Sequence, residues 1–351
     1  MKNQRVLVGM SGGVDSSVSA LLLQKAGYEV LGATLDLCDG AASGSIQDAG
    51  AVARQLGIPF SSYAYRDAFS ACVMQYFVDD YVSGRTPNPC TQCNPEVKFK
   101  KMMETADALD CHYVATGHYA RVAYNEETGR WTLKKGLSRE KDQSYMLYRL
   151  SQEQLSRTLF PLGDKQDKEE IRAIAKEAGL ATAQKKDSQD ICFIPDGDYV
   201  NFLQTFGGVV LEEGDFIDLE GKVVGRHRGL PCYTTGQRKG LGIGGSPYPL
   251  YVIRKDAARN AVIVGPEEAL YSDRIMIEQT NWIAVERPAE GQPCSVKIRY
   301  SHGESPARVY PKENGRAELI FEKPQRAATA GQSAVLYDGD TVLGGGIICE
   351  E

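Results

Sequence analysis

The sequence predicts an α/β protein: a doubly wound parallel sheet, then a small central β-rich domain and a C-terminal β-barrel. Up to residue 206, short apolar runs alternate with helical patterns, which is typical of parallel strands covered by helices on both faces. Beyond Gly207, short runs of alternating polarity are separated by Gly, Pro and Asp, a pattern typical of small β domains. We therefore expect domains at residues 1–206, 207–270 and 271–351.

The individual elements follow from hydrophobic periodicity and from residues that begin or end helices. The expected N-terminal strands are Arg5–Met10, Val30–Leu35, Pro59–Tyr65 and Tyr113–Thr116. The expected helices are Asp15–Ala26, one opened by a Ser45–Asp48 capping box and ended by Gly57, Asp67–Ser83, Glu96–Leu109, and two that begin at Ser151 and Asp167. The expected C-terminal strands include Ser295–Tyr300, Ala307–Tyr310, Glu318–Phe321 and Ser333–Tyr337.

Composition is typical of a globular protein without a membrane span. Of 351 residues, 42% are hydrophobic and 25% charged, and no apolar run approaches the ~20 residues that cross a bilayer. The start MKNQRVLVGM lacks the features of a signal peptide, so we expect a cytoplasmic protein. Nine cysteines, an odd number, indicate reduced thiols rather than a disulfide framework. With a net charge of −6, a nucleic-acid site would have to be a local basic patch.

A glycine loop between the first strand and the first helix predicts a phosphate site. The segment SGGVDSS, residues 11–17, follows the strand directly. Its glycines let backbone N–H groups converge on a phosphate, and the helix N-terminus adds positive potential. Its serines can donate further hydrogen bonds, and Asp15 can help to hold Mg²⁺. No Gly-Lys-Ser/Thr follows, so this is not a Walker loop; an ordinary Gly-Gly turn is the alternative.

A proline-rich segment, Gly84–Pro95, contains the first candidate reactive cysteine. Asn94 is a good N-cap and Pro95 a good first helical residue, so we expect Cys93 directly before a helix N-terminus. That position lowers a thiol pKa. Cys90 and Cys93 could also form half of a zinc site, but no second Cys pair or His pair completes it.

The second candidate reactive cysteine, Cys192, follows the paired lysines Lys185 and Lys186. Their positive charge would favour a thiolate in the same way. Cys38 is left open. The remaining cysteines are interpreted as small buried hydrophobic side chains: Cys72, Cys111, Cys232, Cys294 and Cys349.

A basic segment in the central region predicts a surface that follows phosphates. Between residues 226 and 239 lie Arg226, Arg228, Arg238 and Lys239, with no acidic residue. Such a loop suits the backbone of RNA. An ordinary solvated surface is the alternative.

Several motifs in order resemble one known family. SGGVDS resembles the signature of the ATP-pyrophosphatase (PP-loop) superfamily, which transfers AMP to a substrate oxygen and releases pyrophosphate. GMSGGVDSS, GRTPNPCTQCN with EVKF, ATGHY, KDQSYMLY, KKDSQDICFI, TTGQRKGLGIGG, IRYSH and GQSAVLYDGD together resemble the bacterial tRNA-specific 2-thiouridylase family, essentially from end to end. That family combines an N-terminal ATP-pyrophosphatase domain, a central domain and a C-terminal β-barrel.

The resemblance implies an ATP-dependent tRNA sulfurtransferase. ATP would adenylate the C2 oxygen of the wobble uridine, and sulfur from a cysteine persulfide would replace it, giving 2-thiouridine, AMP and pyrophosphate. The implied catalytic residues are Asp15, Cys93 and Cys192. Cys192 would carry the persulfide, and Cys93 would then close a transient disulfide with it.

The same resemblance implies where the substrates and partners bind. ATP with Mg²⁺ would contact Gly9, Met10, Ser11, Gly12, Gly13, Val14, Asp15, Ser16, Leu35 and Gly117. Contacts to tRNA, including the target base, would come from Asn88, Pro89, Cys90, His118, Lys141, Asp142, Gln143, Arg299, Tyr300 and Gln332, and the basic segment adds Arg238 and Lys239. A sulfur-relay protein or cysteine desulfurase would supply the persulfide. We expect a monomer.

Two departures from the family pattern leave alternatives open. Many members have Asp where this chain has Cys90, so Cys90, Cys93 and Cys192 could instead ligate a [4Fe–4S] cluster that carries sulfide. The segment Asp36–Ser45 is shorter than in many members. Outside tRNA thiolation, the alternatives are an ATP-pyrophosphatase ligase with a small-molecule acceptor and a non-catalytic tRNA-binding protein.

Overall fold

The computed structural model describes residues 5–38, 42–185 and 191–350. Its strands are β1 Arg5–Gly9, β2 Glu29–Asp36, β3 Phe60–Ala64, β4 Tyr113–Ala115, β5 Ala120–Asn125, β6 Arg130–Lys135, β7 Thr158–Leu159, β8 Gly214–Ile217, β9 Val223–His227, β10 Tyr251–Asp256, β11 Ala261–Gly265, β12 Tyr271–Trp282, β13 Gln292–Lys297, β14 Ser305–Pro311, β15 Ala317–Arg326, β16 Ser333–Asp338 and β17 Thr341–Cys349. Its α-helices are α1 Val14–Lys25, α2 Ala42–Leu56, α3 Arg66–Phe69, α4 Gln75–Val82, α5 Pro89–Cys93, α6 Lys100–Ala108, α7 Ser144–Leu147, α8 Gln152–Ser156, α9 Lys168–Glu177 and α10 Tyr199–Thr205.

The N-terminal sheet is parallel and has β1 at its centre. Five strands lie in the order β3-β2-β1-β4-β7, and every neighbouring pair is parallel. Val6, Leu7 and Val8 of β1 are fully buried. Leu7 packs in one hydrophobic core and its two neighbours in another, because successive side chains of a strand point to opposite faces. The predicted doubly wound sheet is confirmed.

Helices cover the sheet, and some of them differ from expectation. α2 begins at Ala42, before the expected capping residue Ser45, and ends at Leu56, before Gly57 (φ +68°). The expected helix over residues 67–83 contains a π-helical turn, Ser70–Met74, between α3 and α4. The capping box at Ser151 is confirmed. Among the described residues, no helix has the length and apolar character to cross a bilayer.

The C-terminal part contains two further sheets. β10, β11, β8 and β9 form a four-stranded sheet in that order. β12, β15, β14, β13, β16 and β17 form an antiparallel barrel, which the pairing of β12 with β17 closes. The predicted barrel is confirmed. β13 ends at Lys297, so the expected strand Ser295–Tyr300 is displaced toward the N-terminus.

A hairpin of the N-terminal domain joins the barrel sheet, which the sequence did not predict. β5 and β6 form this hairpin, and Lys134 of β6 pairs with Thr341 of β17. Lys135 is buried, forms an ion pair with Glu304 and donates to the Gly339 carbonyl oxygen at 2.8 Å. The hairpin therefore connects the N-terminal domain and the barrel.

We predict that Gly345→Ala destabilises the packing of the barrel against Tyr148 of the N-terminal domain. A Cβ at Gly345 would lie 2.5 Å from the Ala334 carbonyl oxygen and 2.8 Å from the Tyr148 ring, so backbone would have to move. The free energy of unfolding should fall by about 1–3 kcal/mol, measured by urea denaturation. Gly303→Ala is the control, because no atom lies within 4 Å of its added Cβ. Equal stabilities of the two variants would contradict the packing described.

Candidate functional site

A cavity opens where β1 and its two neighbours end. β2 and β4 flank β1 on opposite sides, so the loops that follow these strands diverge at the carboxyl edge of the sheet, where open α/β sheets bind ligands. The cavity has a volume of about 290 Å³. It is lined by Gly9, Met10, Ser11, Asp15, Ser16, Ala33, Thr34, Leu35, Leu37, Lys98, Met102, Thr116, Gly117, His118 and Gln143.

The glycine loop is braced by its own serines and leaves the start of α1 uncapped. Ser16 Oγ accepts from the Ser11 N–H at 3.1 Å and donates to the Gly13 carbonyl oxygen at 3.2 Å. Gly13 is the N-cap and provides no side-chain cap, so the first N–H groups of the helix can bind an anion. Gly12 has φ +70°, and a Cβ there would lie 2.5 Å from the Ser45 carbonyl oxygen. Glycine is therefore required at this position.

Most of the residues expected to bind ATP lie in the cavity wall: Gly9, Met10, Ser11, Asp15, Ser16, Leu35 and Gly117. The wall does not include Gly12, Gly13 or Val14. Gly12 packs against Ser45, and Val14 is 3% exposed in the core. These three residues lie outside the cavity wall and shape the loop and the start of the helix. Their direct contact with ATP stays a prediction.

Asp15 is held between two side chains that the sequence did not single out. The Tyr119 hydroxyl donates to Asp15 Oδ1 at 2.7 Å, and Lys168 Nζ lies 2.7 Å from Oδ2. Both carboxylate oxygens thus have partners. One carboxylate paired in this way does not make a magnesium site by itself, because Mg²⁺ prefers several oxygen ligands. Mg²⁺ would have to arrive with phosphate oxygens of the nucleotide.

The candidate cysteine loop opens a longer helix than expected. Asn88 is the N-cap, and its side chain accepts from the Cys90 N–H at 3.2 Å. α5 then continues through a π-helical turn, Asn94–Phe99, into α6. Asn94 has φ −56° and ψ −59°, so the prediction that it caps a helix is wrong. Two Asn-Pro pairs fit the cap pattern, and the earlier one, Asn88-Pro89, begins the helix.

This difference changes the environment of Cys93. The residue lies inside the helical run and is 8% exposed, rather than before a helix N-terminus. Burial raises the pKa of its thiol to about 12, against the opposing charge of Lys98. The expectation of a lowered Cys93 pKa is therefore wrong.

Cys192 is exposed and lies beside a third thiol, Cys38. Cys38 Sγ is 3.7 Å from the Cys192 carbonyl oxygen. The contact between the two thiols is the main reason that the Cys192 pKa is raised, so the lowered pKa expected here is also wrong. Lys185 Nζ does not approach this thiol; it bonds Gly12 O at 3.0 Å and Asp48 at 2.6 Å. Lys186 lies outside the described residues.

The alternative [4Fe–4S] site gains no support from the geometry. Within residues 5–38, 42–185 and 191–350, no group of three or more His, Cys, Asp or Glu side chains could hold a metal ion. Cys90 is exposed at the start of α5, whereas Cys93 is buried below it. The [4Fe–4S] route therefore stays an alternative for experiment.

Several residues expected to contact tRNA use their side chains inside the protein. Asp142 accepts from the N–H groups of Gly136 and Ser144, and Gln332 donates to the carbonyl oxygens of Thr86 and Pro87. Arg299 donates to carbonyl oxygens of Thr235 and Ala327, and Gln143 accepts from the Tyr119 N–H. These bonds fix loops around the cavity and between domains. Contact of these residues with tRNA stays a prediction.

His118 lies in the cavity wall, with Nδ1 2.7 Å from Thr116 Oγ1. Burial, and then the charge of Lys98, lower its pKa well below the ordinary value, so the ring is neutral at pH 7. The accessible members of the expected tRNA set are Cys90, Arg238, Lys239 and Tyr300, whereas Asn88 and Lys141 are partly buried and Pro89 is buried. These positions too remain predictions.

Sequence reasoning missed Lys98, Tyr119, Lys168 and the proximity of Cys38 to Cys192. Each joins the site through a contact between segments far apart in the chain, which periodicity does not reveal. A signal existed for Lys98, since it lies in the motif EVKF, but nothing in the spacing assigned it a role.

Comparison with known proteins gives consistent matches over the chain. Residues 4–196 match the tRNA methyl transferase HUP domain, residues 200–266 its PRC-barrel domain, and residues 272–348 the aminomethyltransferase β-barrel domain. A tRNA-specific 2-thiouridylase of Acetivibrio thermocellus is 45% identical over 99% of this chain and 100% of its own length. One of Clostridioides difficile is 44% identical over 99% of this chain and 98% of its own. Among solved structures, an NMN synthetase from Francisella tularensis covers 60% of this chain and 80% of its own, with 17% identity and a TM-score of 0.37.

We predict that Gly117→Ala weakens ATP binding. A Cβ at Gly117 would lie 2.8 Å from Ser16 N and 2.9 Å from the Asp15 carbonyl carbon, which would push the loop after β4 away from the helix start. The Kd for ATP, measured by calorimetry, should rise about ten-fold or more, since such overpacking costs at least about 1.4 kcal/mol. Gly303→Ala should bind as the parent protein does. An unchanged Kd for Gly117→Ala would show that the nucleotide does not need this close approach.

Proposed function

This chain belongs to the tRNA-specific 2-thiouridylase family, and on that basis we propose that it is an ATP-dependent sulfurtransferase that converts the wobble uridine of tRNA to 2-thiouridine. The observation that carries the proposal is that one residue, Leu37, connects the glycine-loop cavity to a cluster that contains cysteines. Leu37 lines the cavity and also packs in the apolar cluster that contains Cys93, with Cys38 and Phe193 at its edge. Cys192 directly precedes Phe193. An activated base and a sulfur nucleophile would therefore meet at one wall.

The first half-reaction turns the C2 oxygen of uridine into a leaving group. That oxygen attacks the α-phosphorus of ATP, the bond to the bridging oxygen breaks, and pyrophosphate departs. Ser11 and the uncapped N–H groups of α1 are available to hold the phosphate oxygens. Asp15, which is held by Tyr119 and Lys168, places a carboxylate in the cavity wall.

The second half-reaction uses one exposed and one buried thiol. Cys192 is exposed, so a sulfur-relay protein or cysteine desulfurase can load it as a persulfide. The terminal sulfur loses its proton and attacks C2, and AMP leaves. The Cys93 thiolate then attacks Cys192 Sγ and breaks the sulfur–sulfur bond, whose electron pair stays on the sulfur bound to C2. The products are 2-thiouridine and a Cys93–Cys192 disulfide, which an external two-electron thiol reductant reopens.

The acceptor distinguishes this proposal from the two other classes. A ligase with a small-molecule acceptor would release pyrophosphate without tRNA, and a non-catalytic tRNA-binding protein would release none. The experiment is incubation with ATP, unmodified tRNA and a persulfide donor. We expect tRNA-dependent release of pyrophosphate and, by mass spectrometry of nucleosides, formation of 2-thiouridine. Pyrophosphate release that ignores tRNA would contradict the proposal.

We predict that Cys93→Ser and Cys192→Ser each lower thiolation by at least about 10³-fold, as loss of a catalytic nucleophile does. Pyrophosphate release in a single turnover should persist, because adenylation does not use either thiol. Cys72→Ser, at an exposed cysteine, is the matched control and should thiolate normally. Thiolation by Cys192→Ser at the parent rate would remove the persulfide from the mechanism.

The variant Cys90→Ser tests the cluster alternative. In the persulfide route Cys90 only borders the base, so most activity should remain. The [4Fe–4S] route would instead be favoured if the anaerobically purified parent contains about four irons per chain and Cys90→Ser loses both the iron and thiolation.

We predict that Arg238→Ala with Lys239→Ala weakens tRNA binding and flattens its salt dependence. Both side chains are exposed on the glycine-rich loop before β10, where they can reach phosphates. Each lost phosphate contact should reduce the slope of log Kd against log salt by about 1. Arg259→Ala, at an exposed arginine between β10 and β11, is the control. An unchanged affinity and slope would place this loop away from the RNA.

A further inference from the structure

The cavity has one lysine or arginine in its described wall, and it does not come from the glycine loop. Lys98 lines the cavity opposite a loop that lacks the phosphate-binding lysine of Walker proteins. Met102, four residues later, lines the same cavity, because residues four apart lie on one face of a helix. The helical run that starts at Pro89 therefore places a lysine side chain in the wall of the proposed nucleotide site.

The same helical run places Lys98 beside the sulfur chemistry. Lys98 lies in the π-helical turn Asn94–Phe99, whose N-cap is Cys93, so the lysine follows the cysteine by five residues, the hydrogen-bond spacing of a π-helix. The positive charge of Lys98 acts on the thiols of Cys90, Cys93 and Cys192, in each case against the effect that raises the pKa. One side chain thus faces both the nucleotide cavity and the thiols.

Lys98 also has no counter-charge in the described part of the chain. No ion pair or side-chain hydrogen bond of its ammonium group occurs there, although the residue is partly buried. The acidic residue of the same wall, Asp15, is occupied by Lys168. A partly buried cation without an anion is costly unless a ligand supplies the negative charge.

We propose that Lys98 is a catalytic cation that serves both half-reactions, binding the α-phosphate of ATP during adenylation and then stabilising the sulfur anions of Cys93 and Cys192. This inference rests on the proposed function. In the first step the ammonium group neutralises charge that builds on the α-phosphate oxygens as pyrophosphate leaves. When AMP departs, the ammonium group is free to stabilise the Cys93 thiolate that attacks Cys192 Sγ. It exchanges no electrons and donates no proton permanently.

The test compares Lys98→Met and Lys98→Arg with the control Lys100→Met, an exposed lysine two residues later. The first measurement is single-turnover release of pyrophosphate with ATP and unmodified tRNA. We expect Lys98→Met to be slower by about 10²-fold, the effect of removing one charge-stabilising donor. Lys98→Arg should recover a large part of the rate, and Lys100→Met should match the parent.

The second measurement needs no catalytic activity. Iodoacetamide labels the thiols at pH 8 without nucleotide, and peptide mass spectrometry follows Cys93 and Cys192 separately. Loss of a nearby cation raises a thiol pKa by about one unit, so both alkylation rates should fall about ten-fold in Lys98→Met and recover in Lys98→Arg. If Lys98 had only a structural role, its removal would not slow the alkylation of these two thiols with recovery in Lys98→Arg. Thermal unfolding of each variant checks that the variant is folded.

Parent-like pyrophosphate release or parent-like alkylation in a folded Lys98→Met would overturn the dual role. If Lys98→Met does not fold, Lys98→Gln replaces it with the same expectations. Failure of the parent protein itself to release pyrophosphate with tRNA would contradict the proposed function instead, and the alkylation comparison would then decide the role of Lys98 at the thiols alone.

Discussion

The central position of β1 in the parallel sheet is the constraint on which the site depends. With β2 on one side and β4 on the other, the loops that follow these strands leave a cavity that no helix fills. Gly12 and Gly117 then allow backbone segments to approach more closely than any side chain permits. The position of the proposed phosphate site is thus set by the strand order, and its shape by two glycines.

The helical run from Pro89 to Ala108 connects the cavity wall to the candidate cysteines. It contains the buried Cys93 in α5, and a π-helical turn joins α5 to α6. Such turns are frequent at functional sites. One helical run therefore fixes the distance between Cys93 and the wall of the proposed nucleotide site, whereas Cys192 lies in a separate segment beside Phe193.

The sequence predicted the features that local residues determine, but it did not predict the features that tertiary contacts determine. The glycine loop, the helix end at Gly57 and the barrel followed from turn residues and periodicity. Asn94 failed as a cap because Asn88-Pro89 carries the same signal six residues earlier, and only packing selects between them. The thiol environments failed because burial of Cys93 and the approach of Cys38 to Cys192 depend on segments far apart in sequence. The hairpin β5–β6 was missed because its partner strand lies some two hundred residues away.

That last pairing has a consequence for how the chain is made. Lys134 pairs with Thr341, so the β6 edge of the β5–β6 hairpin lacks its partner strand until some two hundred further residues have been synthesised. Unpaired edges of this kind recruit other strands, and contacts of such long sequence separation form late. The N-terminal domain can build its parallel sheet early, but its junction with the barrel is completed only after β17 has been synthesised. The proposed nucleotide site and the barrel are therefore joined late in folding, after both domains have been made.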